Sequence, residues 1–111
     1  MKSLDEIDIF KTLKYIRDTA PKYAQAKANR VYLEEFKKSK QAQLMTEVIN
    51  EPVNAQTRHA HAHAEYIALL DGLKEAIEEE EKLKWRLISA QAMVSCWQTL
   101  SANERAERKV I

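Results

Sequence analysis

The chain has 111 residues, the size of a single domain, and about a third of them are charged. One glycine and two prolines leave little turn material, which argues against a β-sandwich, a dinucleotide-binding unit and any glycine-rich phosphate loop. The net charge of +1 hides three bands. Residues 11–40 carry nine Lys and Arg against three Asp and Glu, residues 65–81 carry one against seven, and residues 82–111 carry six against two. Such bands bear more on partners than the overall charge does.

The first predicted helix covers about residues 4–19. Ser3 and Glu6 have the spacing of a capping box, which favours a helix start at this point. The apolar stripe of this helix consists of Ile7, Phe10, Leu13 and either Ile16 or Tyr15. Pro21 lacks a backbone N–H and disfavours helical geometry in the residue before it, so we expect the helix to stop near Thr19.

The second predicted helix covers about residues 22–49, with Pro21 in its first turn and no further helix breaker before Pro52. One side of it carries Tyr23, Ala26, Arg30, Leu33, Phe36 and Leu44. Residues 50–63 are the predicted corner of the chain, where Asn54 is placed to cap a short helical turn.

The third predicted helix covers about residues 64–106. Its apolar or small residues recur in steps of three and four at Leu69, Leu73, Ala76, Leu83, Leu87, Ala90, Val94 and Trp97. An unbroken helix of this length would extend about 60 Å, at 1.5 Å per residue. A globular domain of this mass is only about 30 Å across, so the helix must pack on a partner of similar length.

We therefore expect an all-α fold in which a short N-terminal helix precedes two long antiparallel helices, forming one coiled-coil-like domain over residues 1–111. The stripe of the third helix continues past the length that the second helix covers, which predicts a homo-oligomer. The predicted oligomer interface consists of Leu83, Leu87, Ala90, Val94, Trp97 and Leu100. No apolar run reaches the ~20 residues of a membrane span, so we expect a soluble, cytoplasmic protein without a signal peptide or membrane partner.

The chain offers no convincing catalytic or metal-binding set. His59 and His63 are four residues apart, a spacing that zinc sites on helices use, but no Cys or acidic residue completes the ligands. We interpret them, with His61, as a solvent-exposed polar corner. The glutamates of residues 78–81 are consecutive and point in different directions on a helix. We expect Cys96 to be a structural thiol, and no enzyme activity, metal or cofactor.

The basic surface of the second predicted helix is the candidate binding site. Positive side chains that follow phosphates and aromatic rings that stack on bases suit single-stranded nucleic acid. The predicted DNA-binding residues are Lys22, Lys27, Arg30, Lys37, Lys38, Lys40 and Tyr32. In the alternative interpretation the rings belong to the core and the lysines are ordinary solvent-facing charges. The chain would then be a helical adaptor or inhibitor of another protein, without nucleic-acid binding.

Two segments carry a resemblance to known proteins, namely YAQAKANRVYLEEFKKSKQAQLM at residues 23–45 and KLKWRLISAQAMVSCWQTLSANERA at residues 82–106. In this layout the chain resembles the UvsY family of T-even phage recombination mediators and small helical proteins of tailed-phage recombination modules. The resemblance implies a ring-forming protein of the host cytoplasm that binds single-stranded DNA and helps a recombinase displace the single-strand-binding protein. It places DNA at Lys37, Lys38 and Lys40, and assembly on the stripe of residues 83–100. The acidic band of residues 75–81 departs from this pattern.

Overall fold

The computed structural model describes residues 7–110 and contains three α-helices. They are α1 (Ile9–Thr46), α2 (Val53–Ala62) and α3 (Ala64–Val110). Residues 7–110 contain no strand, which confirms the all-α prediction. The predicted capping box of Ser3 and Glu6 lies outside the described residues.

The predicted helix break before Pro21 is wrong, because α1 continues through Pro21 for 38 residues. Proline removes one helical hydrogen bond, here the one to the carbonyl of Arg17, and crowds that carbonyl. Burial two residues before and after Pro21 offsets this cost, since Thr19 is buried and Tyr23 is half-buried. Tertiary packing of one face outweighs local propensity in most protein helices, as it does here.

The chain forms two packing units, and both long helices contribute to each. The terminal unit consists of residues 1–23 and 82–111, and the central unit consists of residues 24–81. Within the terminal unit, Ile7, Leu83, Leu87 and Ala90 form the buried apolar positions. Within the central unit, Ala26, Leu44, Ala60, Tyr66 and Leu73 do so.

The predicted corner at residues 50–63 contains a helix of ten residues, α2. Gln56 closes the turn before α2, because its side-chain amide donates hydrogen bonds to the carbonyls of Ile49 at 3.1 Å and Glu51 at 2.8 Å. Pro52 occupies the N-cap of α2 without a side-chain cap, so the predicted cap at Asn54 is wrong and Asn54 lies inside the helix. Ala60 is fully buried within the cluster that also contains Leu44 and Tyr66.

The two long helices meet along seams with coiled-coil spacing. In α1 the buried and half-buried positions alternate in steps of four and three, at Thr12, Ile16, Thr19, Tyr23, Ala26, Arg30, Leu33, Lys37, Lys40 and Leu44. In α3 the same spacing selects Tyr66, Leu69, Leu73, Ala76, Glu80, Leu83, Leu87, Ala90, Val94 and Trp97. Within the central unit Arg30 pairs with Glu80 and Lys40 with Glu65, so the helices are antiparallel there, as predicted.

Replacing Pro21 with Ala tests the packing account of the unbroken helix. The substitution restores the missing hydrogen bond at an exposed position, and we expect it to raise the free energy of unfolding by about 2 kcal/mol. Urea unfolding followed by circular dichroism measures the change. Lys22→Ala, at the next exposed position, leaves the backbone bonding unchanged and should stay within about 0.5 kcal/mol of the parent. A P21A protein less stable than the parent would contradict the account.

Candidate nucleic-acid interface

Half of the residues predicted to form the oligomer interface are already buried within one chain. Leu83, Leu87 and Ala90 are 6%, 9% and 5% exposed, respectively. They lie in the terminal unit, where the first half of the unbroken α1 covers them. These three residues are therefore buried without a sister copy, and assembly through this seam stays a prediction. The other predicted interface positions, Val94, Trp97 and Leu100, are half-buried.

Arg30, predicted to bind DNA, lies inside the helix pair and is engaged by two carboxylates. Its Nε and Nη2 donate hydrogen bonds to the two carboxylate oxygens of Glu80, at 2.5 and 2.9 Å, and its Nη1 donates to Glu34 at 3.1 Å. The hydrogen bond to Glu80, followed by that to Glu34, raises the pKa of Arg30 above its ordinary value. A guanidinium held in this way has little capacity left for a phosphate.

Two of the predicted lysines also face carboxylates. Lys40 Nζ lies 2.6 Å from Glu65, and its side chain is only 20% exposed. This hydrogen bond from Lys40, together with its positive charge, lowers the pKa of Glu65 below the ordinary 4.5. Lys38 pairs with Glu35 at 3.1 Å on the exposed surface of α1. The structure therefore uses these cations in contacts between or along its own helices.

The aromatic residue of the predicted site is separated from its cations. Tyr32 is 64% exposed and stacks on Phe36, with ring centroids 5.9 Å apart and planes at 11°. Lys27 and Lys38 are five and six residues from Tyr32, which places them about 120–140° away around α1 at 100° per residue. Lys37 is half-buried on the α1 seam, whereas Lys22 is exposed in the terminal unit. The predicted residues do not form one basic and aromatic surface.

Positive charge is concentrated in the terminal unit. Its described residues, 7–23 and 82–110, carry ten Lys and Arg against four Asp and Glu, a net charge of +6 with neutral His. The central unit carries seven against eleven, a net charge of −4, and it contains most of the predicted DNA-binding cations. The basic surface combines two bands that are far apart in the chain, so sequence order did not reveal it.

A groove between α1 and α3 runs along one side of the terminal unit. Two adjoining clefts of about 320 and 420 Å³ share Tyr15, Ala90 and Met93 in their walls. The smaller cleft adds Asp8, Lys11 and Thr12, and the larger adds Trp85, Arg86 and Ser89. Trp85 is 61% exposed and Tyr15 is 39% exposed. The Nζ of Lys84 lies 5.9 Å from the centroid of the Trp85 ring system.

The three histidines make structural contacts in the central unit, and the rings of His59 and His63 meet edge to face with centroids 6.0 Å apart. His63 Nδ1 accepts a hydrogen bond from the backbone N–H of Glu65 at 3.1 Å and so holds the start of α3. His61 stacks on Tyr66 with centroids 5.0 Å apart, and His59 Nε2 lies 3.8 Å from the carboxylate of Glu47. Over residues 7–110, no three His, Cys, Asp or Glu side chains are grouped as metal ligands.

Comparison with known protein families, curated proteins and solved structures finds no match to this chain. Among the described residues, no helix has an apolar stretch long enough to cross a bilayer. The functional assignment therefore depends on the charge, exposure and geometry of the residues themselves, above all those of the terminal unit.

Replacing Leu87 with Ala distinguishes a core residue from an interface residue. We expect the free energy of unfolding to fall by about 2–4 kcal/mol, because the side chain fills space inside the terminal unit. Chemical denaturation measures the loss, and Ile88→Ala, at the next and more exposed position, should cost clearly less. Light scattering on the folded L87A protein should give the parental mass. A lower mass at unchanged stability would instead indicate that Leu87 lies in a subunit interface.

The Lys40–Glu65 pair predicts a dependence of stability on pH. The lowered pKa of Glu65 means that its stabilising effect is complete above the ordinary value of 4.5 and is lost as the pH falls through the lower value of the folded state. Glu65→Gln should therefore flatten the curve of unfolding free energy against pH below about pH 5. Glu51→Gln, at an exposed position near the corner, serves as the control. Equal slopes for the parent and E65Q would contradict the role of the pair.

Proposed function

We propose that this protein binds single-stranded nucleic acid through its terminal unit. The observation that carries the proposal is the net charge of +6 on the described part of that unit, in a chain whose total charge is only +1. Polyphosphate chains are attracted to such a surface because each contact with Lys or Arg releases condensed counterions. The central unit has the opposite charge, so it directs a nucleic acid toward the terminal unit.

The more specific role that we propose is that of a phage-type mediator of recombination or replication. The support for it is the resemblance of residues 23–45 and 82–106 to the UvsY family, together with the all-helical fold. In this role the protein has no enzyme activity, assembles as a homo-oligomer such as a ring, and works in the cytoplasm of the host. It holds single-stranded DNA and delivers it to a recombinase in exchange for the single-strand-binding protein.

Assembly would strengthen a weak site. A single basic surface with few phosphate contacts binds weakly at physiological salt, whereas several copies on one strand gain avidity without any new contact. Aliphatic residues of α3 outside its buried seam are available for assembly. Ile67, Leu70 and Ile77 are 47%, 39% and 42% exposed in the central unit.

The same three residues favour a second candidate function, a helical adaptor for another protein. They recur at steps of three and seven, which makes an aliphatic stripe on α3 that a partner helix could cover. The negative charge of the central unit would then select a basic partner. Copurification of a protein, together with no affinity for oligonucleotides, would favour this function over the first.

Fluorescence anisotropy with a labelled oligo-dT of about 30 nucleotides tests the proposed function. If each copy contacts three or four phosphates, we expect the affinity to fall by about twenty- to fifty-fold between roughly 50 and 200 mM salt. Light scattering with and without the oligonucleotide reports whether several copies assemble on it. Absence of binding at micromolar protein in low salt would contradict the proposal.

A further inference from the structure

We infer that the groove around Trp85 in the terminal unit is the place where an unpaired base stacks. The Trp85 groove is lined by Tyr15, Trp85, Arg86, Ser89, Ala90 and Met93. This inference rests on the proposed function and names its site, which differs from the residues predicted by sequence. It identifies the ligand as a single strand whose bases are accessible.

Two exposed aromatic rings line the Trp85 groove. Trp85 and Tyr15 expose 61% and 39% of their surface and line the same cleft, of about 420 Å³. Ala90 and Met93 give that cleft an apolar floor, and Met makes favourable contacts with aromatic rings. An aromatic side chain exposed beside an apolar floor offers a stacking platform for any base, because every base has a π-face.

Cationic side chains surround these rings. Arg86 lines the Trp85 groove, Lys11 lines the adjoining cleft, and Lys84 Nζ lies 5.9 Å from the Trp85 ring centroid. A base stacked on Trp85 brings its own and the neighbouring phosphates close to these groups. The residues that line the two clefts include one acidic side chain, Asp8. The sign of the charge therefore selects a polyanion, such as a phosphate chain.

Stacking on Trp85 requires a base whose face is accessible. In a duplex the base faces are stacked within the helix, so a tryptophan platform reaches them only in a single strand. An acidic peptide would satisfy the cations, but its carboxylate side chains offer no π-face to stack on the exposed rings. The observations therefore favour a single-stranded nucleic acid over an acidic peptide and over duplex DNA.

Tryptophan fluorescence gives a direct readout, because the chain has two tryptophans and only one lies in this groove. Trp97 lines a different cleft, with Gln98, Ser101, Glu104, Arg105 and Arg108, where Arg108 is paired with Glu104. In a Trp97→Phe protein the remaining emission comes from Trp85, and titration with oligo-dT should quench it in a salt-sensitive way. In the matched Trp85→Phe protein the emission comes from Trp97 and should be nearly unchanged.

Affinity measurements with exposed-site variants complete the test. Trp85→Ala should weaken binding to oligo-dT by about 5- to 150-fold, the range for the loss of one stacked base. Arg86→Glu should weaken it more than tenfold, whereas Lys74→Glu makes the same charge change on α3 in the central unit and should stay within about twofold. Circular dichroism melts confirm that all variants are folded.

The outcomes separate the site from the function. If the parent binds oligo-dT but W85A and R86E bind equally well, the site is wrong and the proposed function stands. If the parent binds no oligonucleotide, the proposed function itself fails. If an acidic peptide or a duplex of equal length binds as tightly as oligo-dT and W85A has no effect, the groove recognises negative charge alone and base stacking is overturned.

Discussion

The ion pair of Arg30 and Glu80 is the contact on which the arrangement of the central unit depends. Both side chains occupy seam positions of their helices, where a coiled-coil pattern normally places apolar residues. Glu80 is 7% exposed, so a displaced register would bury its carboxylate without a partner, a costly state for any charge. A bidentate guanidinium–carboxylate pair forms in one alignment of α1 with α3 and disfavours the neighbouring alignments. The Lys40–Glu65 pair further along the same helices is made in that same alignment.

This use of charge changes the interpretation of the basic segment at residues 11–40. A run of lysines and arginines resembles a polyanion-binding surface when only the sequence is considered. In the folded chain, Arg30, Lys38 and Lys40 face carboxylates at 2.5 to 3.1 Å. In the terminal unit, by contrast, residues from both ends of the described chain accumulate a net positive charge. Charge counted along the sequence and charge counted by packing unit therefore lead to different candidate surfaces.

The parts of the fold set by periodicity could be predicted from the sequence, and those set by a balance between local and tertiary terms could not. The apolar steps from Leu69 to Trp97 gave the long third helix and its start near residue 64. Pro21 predicts a helix break because its lost hydrogen bond is evident from the sequence. The compensating burial of Thr19 depends on the partner helix. Glu80 belongs to the run of glutamates at residues 78–81 for which no single role was predicted, although it lies four residues after Ala76 and three before Leu83. The heptad spacing was a signal for its burial, and the acidic residue type concealed it.

The Trp85 groove could be predicted only in part, because its two walls come from distant segments of the chain. Lys11 and Tyr15 are about seventy positions from Trp85 and Arg86 along the chain, and antiparallel pairing within the terminal unit places them on the walls of adjoining clefts. The consecutive residues Lys84, Trp85 and Arg86 are a local signal of cations around a ring, but nothing in the sequence pairs them with Tyr15 and Lys11. Under the proposed function, a single stacking site of this kind would give modest affinity, which suits binding a strand and later releasing it. In an assembly of several copies each groove would contribute one weak contact, so the whole could retain a long strand while every individual contact remained easily exchanged.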